Sequence, residues 1–211
     1  MGTKQALTII AVLGFTLVGF QNCSPVNFDT EASAAGKLEG SGTDDSNDQT
    51  DTTTVDDYVN NDDENPTPEE VDAVCDDAKL TVRTQGLTPT FIPAINDYRG
   101  SSFFYVTGIG AINDYRGKIV VVGAPGASIA AINDTRGKAI FCGVDILAVN
   151  DARGNYHLLD GSIGAINTFR GTLRAIDSTI GTINDQRGNI KLTRSTITGP
   201  INNAGGNIQY Q

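Results

Sequence analysis

The chain has little of what catalytic and metal-binding sites need, since its 211 residues include one histidine and three cysteines. No Ser-His-Asp triad, His/Cys metal cluster, phosphate-binding glycine loop or paired-carboxylate motif can be assembled around His157, the sole histidine. We therefore expect no enzymatic activity, no metal and no cofactor. His157 occupies the same place in its repeat as Arg174 and Lys191, so we expect its side chain to be exposed.

Long hydrophobic runs are also lacking, apart from Ala6–Phe20, which Lys4 precedes. A bilayer-spanning helix needs about 20 apolar residues, so this shorter run predicts the core of a signal peptide. Cys23 follows the run and resembles the lipobox cysteine of bacterial lipoproteins, which becomes the lipidated first residue of the mature chain. The resemblance implies a signal peptide over 1–22 and a lipid-anchored protein of the bacterial envelope, in the outer membrane. An uncleaved anchor, or secretion after cleavage near Ala32–Ala34, are the alternatives.

Basic residues are nearly absent from 24–77, which hold 17 Asp+Glu against one Lys, a net charge of −16. Residues 78–211 hold 8 Asp+Glu and 13 Lys+Arg, a net charge of +5. The polar composition predicts that residues 23–66, after the lipidated cysteine, form a disordered acidic linker that lifts the domain off the membrane. A calcium-binding or partner-binding tail is the alternative. The basic part lacks interleaved aromatics and any known reader motif, so we expect no nucleic-acid partner.

The motif Ile-Asn-Asp-x-Arg-Gly recurs, with variations, seven times between Ile95 and Gly206, and its closing glycines are 17, 20, 17, 17, 17 and 18 residues apart. Apolar residues alternate with period two after each glycine, which indicates a strand. A short fixed period means that each repeat buries its apolar side against its neighbours. The sequence therefore predicts an all-β parallel β-solenoid over 79–211, with about seven coils of about 17 residues stacked about 4.8 Å apart.

Three residues of the motif are predicted to form columns along the rod. The asparagines should stack as a hydrogen-bonded ladder, and the glycines should adopt a left-handed conformation that closes each bend. The arginines should be neutralised by the Asp two residues before them, because like charges about 5 Å apart repel by roughly 0.8 kcal/mol in water. The asparagines are Asn96, Asn113, Asn133, Asn150, Asn167 and Asn184. The arginines are Arg99, Arg116, Arg136, Arg153, Arg170 and Arg187.

The ends of the solenoid need caps, because they expose unpaired strand edges. Thr67-Pro68-Glu69-Glu70 has the pattern of a helix start, and it predicts a short capping helix over 67–78 that covers the N-terminal end. The C-terminal coil has no obvious cap, so we expect it to meet a second copy or another protein.

Cys142 lies in a mostly apolar column, which predicts a buried free thiol. A disulfide with Cys75 is the alternative that an exported compartment permits. Cys75 should lie before the first coil and Cys142 near the third, roughly 14 Å away along the axis at one coil per strand spacing. This separation argues against the disulfide.

The fifth repeat has Thr168 in place of Asp, and basic residues are concentrated there and in the following coils. They predict an anionic-ligand site for lipopolysaccharide or an acidic glycan, or alternatively only local sequence drift. The set comprises Arg170, Arg174, Arg187, Lys191 and Arg194.

The apolar strand pairs punctuated by Gly and Asn over Leu80–Gln211 resemble the short-coil β-helix domains of the auto-transporter adhesin head family. With Cys23, this resemblance implies a surface lipoprotein used for adhesion. A structural, self-assembling envelope spacer is the alternative. A polysaccharide-active β-helix enzyme is a second alternative, although such enzymes usually have longer coils with loops that build a cleft.

Overall fold

The computed structural model describes Thr54, Val55, Tyr58, residues 66–202 and residues 205–211. The proposed signal peptide, Cys23 and most of the acidic linker lie outside the described residues, so they remain sequence predictions. The described repeat region is an all-β parallel solenoid of about seven coils, as its sequence predicted.

Each full coil contributes two strands to a continuous parallel sheet that winds around the rod. One strand follows the motif glycine and the other precedes the motif asparagine, so residues in equivalent repeat positions pair in register, as Ile163 does with Ile180. The two strands are fused in β3 and β4 and separate in the later coils. The strands are β1 (Thr90–Ile92), β2 (Ile95–Asn96), β3 (Ser101–Asn113), β4 (Lys118–Asn133), β5 (Lys138–Cys142), β6 (Asp145–Asn150), β7 (Asn155–Leu159), β8 (Ser162–Ile166), β9 (Thr172–Ile176), β10 (Thr179–Ile183), β11 (Asn189–Thr193), β12 (Thr196–Ile197) and β13 (Asn207–Tyr210).

The core is a stack of apolar columns inside the coils. Strand residues that alternate inward are buried, and so is the variable residue of the motif, for example Tyr115 and Phe169. A void of about 10 Å³ lies among these core side chains. It is lined by apolar groups and is about the size of one water molecule, so it offers no space for an organic ligand.

The motif asparagines form a continuous ladder along one corner of the rod. In each step the Nδ2 of one asparagine donates to the Oδ1 of the asparagine one coil earlier, at 2.6 to 2.8 Å. Asn202 extends the ladder beyond the six predicted residues. The amides therefore satisfy each other along the rod and fix its register.

The motif glycines allow close stacking of successive coils, and the prediction that they adopt a left-handed conformation is wrong. In four repeats the left-handed residue is the motif Asp, with φ of 40° to 48° at Asp97, Asp114, Asp134 and Asp151, a conformation that Asp tolerates better than most residues. A Cβ placed on Gly154 or Gly171 would lie 1.9 Å from the carbonyl oxygen of the motif glycine one coil earlier. Glycine is needed there because no side chain fits between the coils.

Helix α1 spans Pro68–Thr84 and begins where the sequence predicted. Thr67 caps it, and Thr67 and Glu70 form a reciprocal capping box, in which each side chain accepts from the other residue's backbone N–H. The helix continues to Thr84, beyond the predicted end at residue 78. Its buried apolar face consists of Val71, Val74, Cys75 and Ala78, and Val82 in the added part packs against the same cluster.

Helix α1 covers a flank of the rod, so the prediction that it caps the N-terminal end is wrong. Its buried face packs on β4, β5 and β7. Its first turns lie beside the later coils, where Asp72 Oδ2 is 3.9 Å from Arg194 Nη2. The helix of 17 residues is about 25 Å long, which matches about five coil spacings.

A disulfide joins Cys75 of α1 to Cys142 of β5, with Cα atoms 5.6 Å apart. The preferred prediction of a free thiol at Cys142 is therefore wrong. The axial separation that argued against the bond assumed that Cys75 lies ahead of the first coil. The helix instead folds back along the rod and brings Cys75 level with the third coil.

The glycine column leads to a prediction about stability. We expect Gly171→Ala to lower the free energy of unfolding by about 3 kcal/mol or more, because its Cβ would overlap a backbone oxygen that cannot move independently. Gly100→Ala is the matched control, since its Cβ would meet only the Oη end of the flexible Tyr98 side chain, at 2.9 Å. Chemical denaturation followed by circular dichroism measures both variants. Equal losses would contradict this role for the column.

The disulfide leads to a second prediction. Replacing both Cys75 and Cys142 by Ala should lower the free energy of unfolding by about 4 kcal/mol, because the bond closes a long loop in the unfolded chain. A reducing agent should lower the unfolding midpoint of the unmodified protein and leave that of the double variant unchanged. A midpoint that is insensitive to reduction in both proteins would count against a stabilising bond.

Candidate functional site

The arginine column is exposed, and five of its six guanidinium groups pair with a carboxylate of their own repeat. Each pairs with the Asp two residues before it, at 3.0 Å in Arg153–Asp151 and at 4.0 Å in Arg136–Asp134. The hydrogen bond from Arg153 lowers the pKa of the Asp151 carboxyl below its usual range. Exposed pairs of this kind contribute at most about 1 kcal/mol each, so their main effect is to neutralise the column.

Arg170 is the exception in this column. Its side chain is exposed, Thr168 replaces the carboxylate, and no described carboxylate lies within ion-pair distance. The flanking Arg153 and Arg187 keep their own Asp partners. The structure thus leaves one exposed guanidinium between two neutralised ones.

Arg174 is not part of an exposed basic patch, contrary to the sequence-based prediction. Its Nη1 donates to the carbonyl oxygen of Pro66 at 2.6 Å, and its side chain is only 8% exposed. Burial lowers the pKa of Arg174, although the carboxylates of Glu69 and Glu70 partly oppose this effect. Arg174 therefore holds the segment that leads into α1.

Arg194 is also engaged within the molecule. Its guanidinium donates to both carboxylate oxygens of Asp177, at 2.6 and 2.8 Å, and lies near Asp72 of α1. The hydrogen bond from Arg194 lowers the pKa of Asp177. Of the five predicted ligand-binding residues, Arg174 and Arg194 thus contact the α1 segment, and Arg187 pairs with Asp185. The predicted concentration of free positive charge is not present.

Lys191 lies on β11 directly beside Arg174 in the sheet. It is partly exposed, and no described carboxylate is within ion-pair distance of it. Arg174 also has no described carboxylate within ion-pair distance, but it is buried against the Pro66 carbonyl. Lys191 and Arg170 are therefore the members of the predicted set that are at least partly exposed and have no anionic partner among the described residues.

His157 is buried, so the prediction of an exposed histidine is wrong. Its side chain is 1% exposed, and its Nδ1 has no hydrogen-bond partner in the described structure. Burial lowers the pKa of His157 to about 3, and the positive charge of Arg174 acts in the same direction. Among the described residues, no three His, Cys, Asp or Glu side chains come together as a metal site.

The burial of His157 and Arg174 could have been predicted from the residue types at the equivalent positions of the earlier coils. The outward positions equivalent to theirs in those coils hold Phe103, Val120 and Ile140. These three are apolar and form a second hydrophobic cluster with α1, Val55 and Tyr58. An outward apolar column indicates a covered face.

Comparison with known proteins gives no relative from which a site could be transferred. No family model, no curated protein and no solved structure matches the chain. Within the described residues, no helix is both long and apolar enough to cross a membrane.

The buried imidazole predicts a specific acid sensitivity. The neutral form is favoured by folding, because the pKa of about 3 lies below the usual value of about 6.5. The stability that depends on this form is complete above pH of about 6.5 and falls as the pH drops toward 3, by up to about 1.4 kcal/mol per pH unit.

We expect His157→Leu to remove this component. The difference in unfolding free energy between the unmodified protein and His157→Leu, followed by denaturation from pH 7 to pH 4, should shift steadily in favour of the variant. Asp151 and Asp177 titrate in both proteins and cancel from the difference. A pH-independent difference would contradict a buried neutral imidazole.

Proposed function

We propose that the protein is a non-enzymatic lipoprotein of the bacterial envelope, anchored in the outer membrane through Cys23, whose solenoid recognises an anionic glycan or lipopolysaccharide. The observation that carries this proposal is Arg170, an exposed guanidinium without its carboxylate inside an otherwise paired column. Adhesion to an anionic envelope or host component is the function that this arrangement supports best.

The disulfide supports export of the chain. Structural disulfides form and persist in oxidising compartments and are rare in the cytosol. The Cys75–Cys142 bond joins two buried residues, which agrees with the compartment that the apolar leader and Cys23 imply. This supports the envelope location independently of the leader.

The geometry around Arg170 restricts the kind of ligand. A guanidinium binds carboxylate, sulfate or phosphate through two parallel hydrogen bonds. Asp151 and Asp185 belong to the adjacent coils and pair with Arg153 and Arg187, about one strand spacing away on either side. Their carboxylates would repel a dense polyanion lying along the column. A single anionic group on a longer, otherwise neutral chain fits better.

A substitution that restores the motif Asp in the fifth repeat tests this proposal. Thr168→Asp should pair with Arg170 as in the other repeats, and binding of the full chain to lipopolysaccharide or acidic glycans at physiological salt should fall about tenfold or more. Arg170→Gln should have the same effect. Asp185→Thr should leave Arg187 without its carboxylate partner and strengthen binding.

The measurement is a glycan array and a lipopolysaccharide titration of each purified variant, with the unfolding midpoint recorded as a check of folding. Saturable binding that is unchanged in both Thr168→Asp and Arg170→Gln would rule out the Arg170 site. No saturable binding by the unmodified protein would rule out the proposed adhesive function.

A structural role as a self-associating envelope spacer is the second candidate. Strand β13 pairs only with β11 among the described strands, so the outer edge of the C-terminal coil has no described partner. This observation supports association of copies through that coil.

A further inference from the structure

We infer that the two ends of the solenoid are complementary and that the C-terminal coil of one copy binds the N-terminal coil of a second copy, head to tail. This inference does not depend on the Arg170 site. It specifies the surface that the C-terminal coil binds in self-association, which is the N-terminal coil. Three independent features of the described coils carry it: the asparagine ladder, the glycine column and the unpaired backbone edges of the terminal strands.

The asparagine ladder has a direction, and its two ends differ. Every asparagine donates from Nδ2 to the Oδ1 of the preceding coil. Asn96, in the first coil, accepts from Asn113 but has no described acceptor for its own Nδ2. Asn202, in the last coil, donates to Asn184, and its Oδ1 has no described donor. Asn96 of a second copy would supply that donor in the same geometry as every internal step.

The glycine column contains a glycine at a place where the described monomer does not require one. A Cβ on Gly117, Gly154 or Gly171 would overlap the carbonyl oxygen of the motif glycine one coil earlier. No described coil precedes Gly100, and the nearest atom that a Cβ there would meet is Oη of Tyr98, at 2.9 Å. If Gly100 stacked against Gly206 of another copy, a backbone oxygen would lie where a Cβ would be. Only glycine would then fit at position 100, as at the internal motif glycines.

The backbone edges of the two terminal strands also match. Residues 101–105 of β3 pair only with β4 among the described strands, and β13 pairs only with β11. In the register of the internal coils, residues 207–210 would lie beside residues 101–104 of the second copy. Phe104 would then lie over Tyr210, which is 67% exposed, and Ser102 would lie over the partly buried Ile208.

The resulting contact is heterologous, because it joins two different surfaces and does not close on itself. Such contacts propagate into linear assemblies, and unpaired strand edges are the usual sites at which they form. The partner is a second copy of this chain, since only another solenoid of the same repeat presents the asparagine and glycine columns in this register.

Two substitutions separate this contact from folding. Asn96→Asp keeps the oxygen that accepts from Asn113 and replaces the outward donor by a carboxylate oxygen. Gly100→Ala adds a methyl group that the monomer accommodates through a shift of the Tyr98 side chain, whereas the junction would place a backbone oxygen against it. We expect each variant to keep the unfolding midpoint of the unmodified protein and to weaken self-association about tenfold or more in analytical ultracentrifugation of the full chain in mild detergent. Gly171→Ala is the control that destabilises the fold without altering either end.

A cross-linking experiment tests the register directly. Ser101→Cys and Asn207→Cys in one chain, with Cys23→Ser so that no other cysteine outside the Cys75–Cys142 disulfide can react, should give a series of covalent multimers with a short bifunctional maleimide. The same chain with Asn96→Asp should give far fewer. The inference is wrong if the unmodified protein remains monomeric at its highest soluble concentration. It is also wrong if the association survives both end variants undiminished.

Discussion

The close approach of successive coils at the motif glycines is the constraint on which the rest of the structure depends. A backbone carbonyl occupies the space in which any other residue would place its Cβ. The short spacing between coils that follows lets the asparagine amides reach each other at hydrogen-bond distance. The same spacing places the arginines close enough to repel, and in five of the six repeats a carboxylate of the same repeat neutralises the arginine. One steric requirement therefore determines which residue types the motif contains.

The repeating part of the structure could be predicted from the sequence, because a periodic pattern records a periodic environment. The coils, the buried isoleucines and the asparagine ladder all follow from residues that recur at fixed places. The left-handed conformation of Asp97 and Asp151 was harder to predict. The Asp and the Gly of the motif both tolerate that conformation, and the sequence does not indicate which of the two adopts it. The close approach of backbone atoms at the glycine became visible only in three dimensions.

Apart from the conformation of the bends, the parts that sequence reasoning missed involve helix α1, which occurs once and has no period. Its start was predicted from Thr67 and Glu70, since capping is a local interaction. Its place on the flank depends on contacts with distant strands, and the bond between Cys75 and Cys142 and the burial of His157 follow from that place. The absence of Asp at position 168 was visible in the sequence. The engagement of Arg174 by Pro66 was not, because 108 residues separate the two partners.

The flank position of helix α1 has a mechanical consequence. The backbone N–H of Val55 donates to the Asp77 carboxylate beside the middle of the helix, and the helix is covalently joined to the third coil. A pull on the chain ahead of residue 54 would first break this hydrogen bond and the contacts around Pro66 and would then load the disulfide. The force would enter the rod from its side, across the hydrogen bonds of neighbouring strands, before it could peel the first coil from its end.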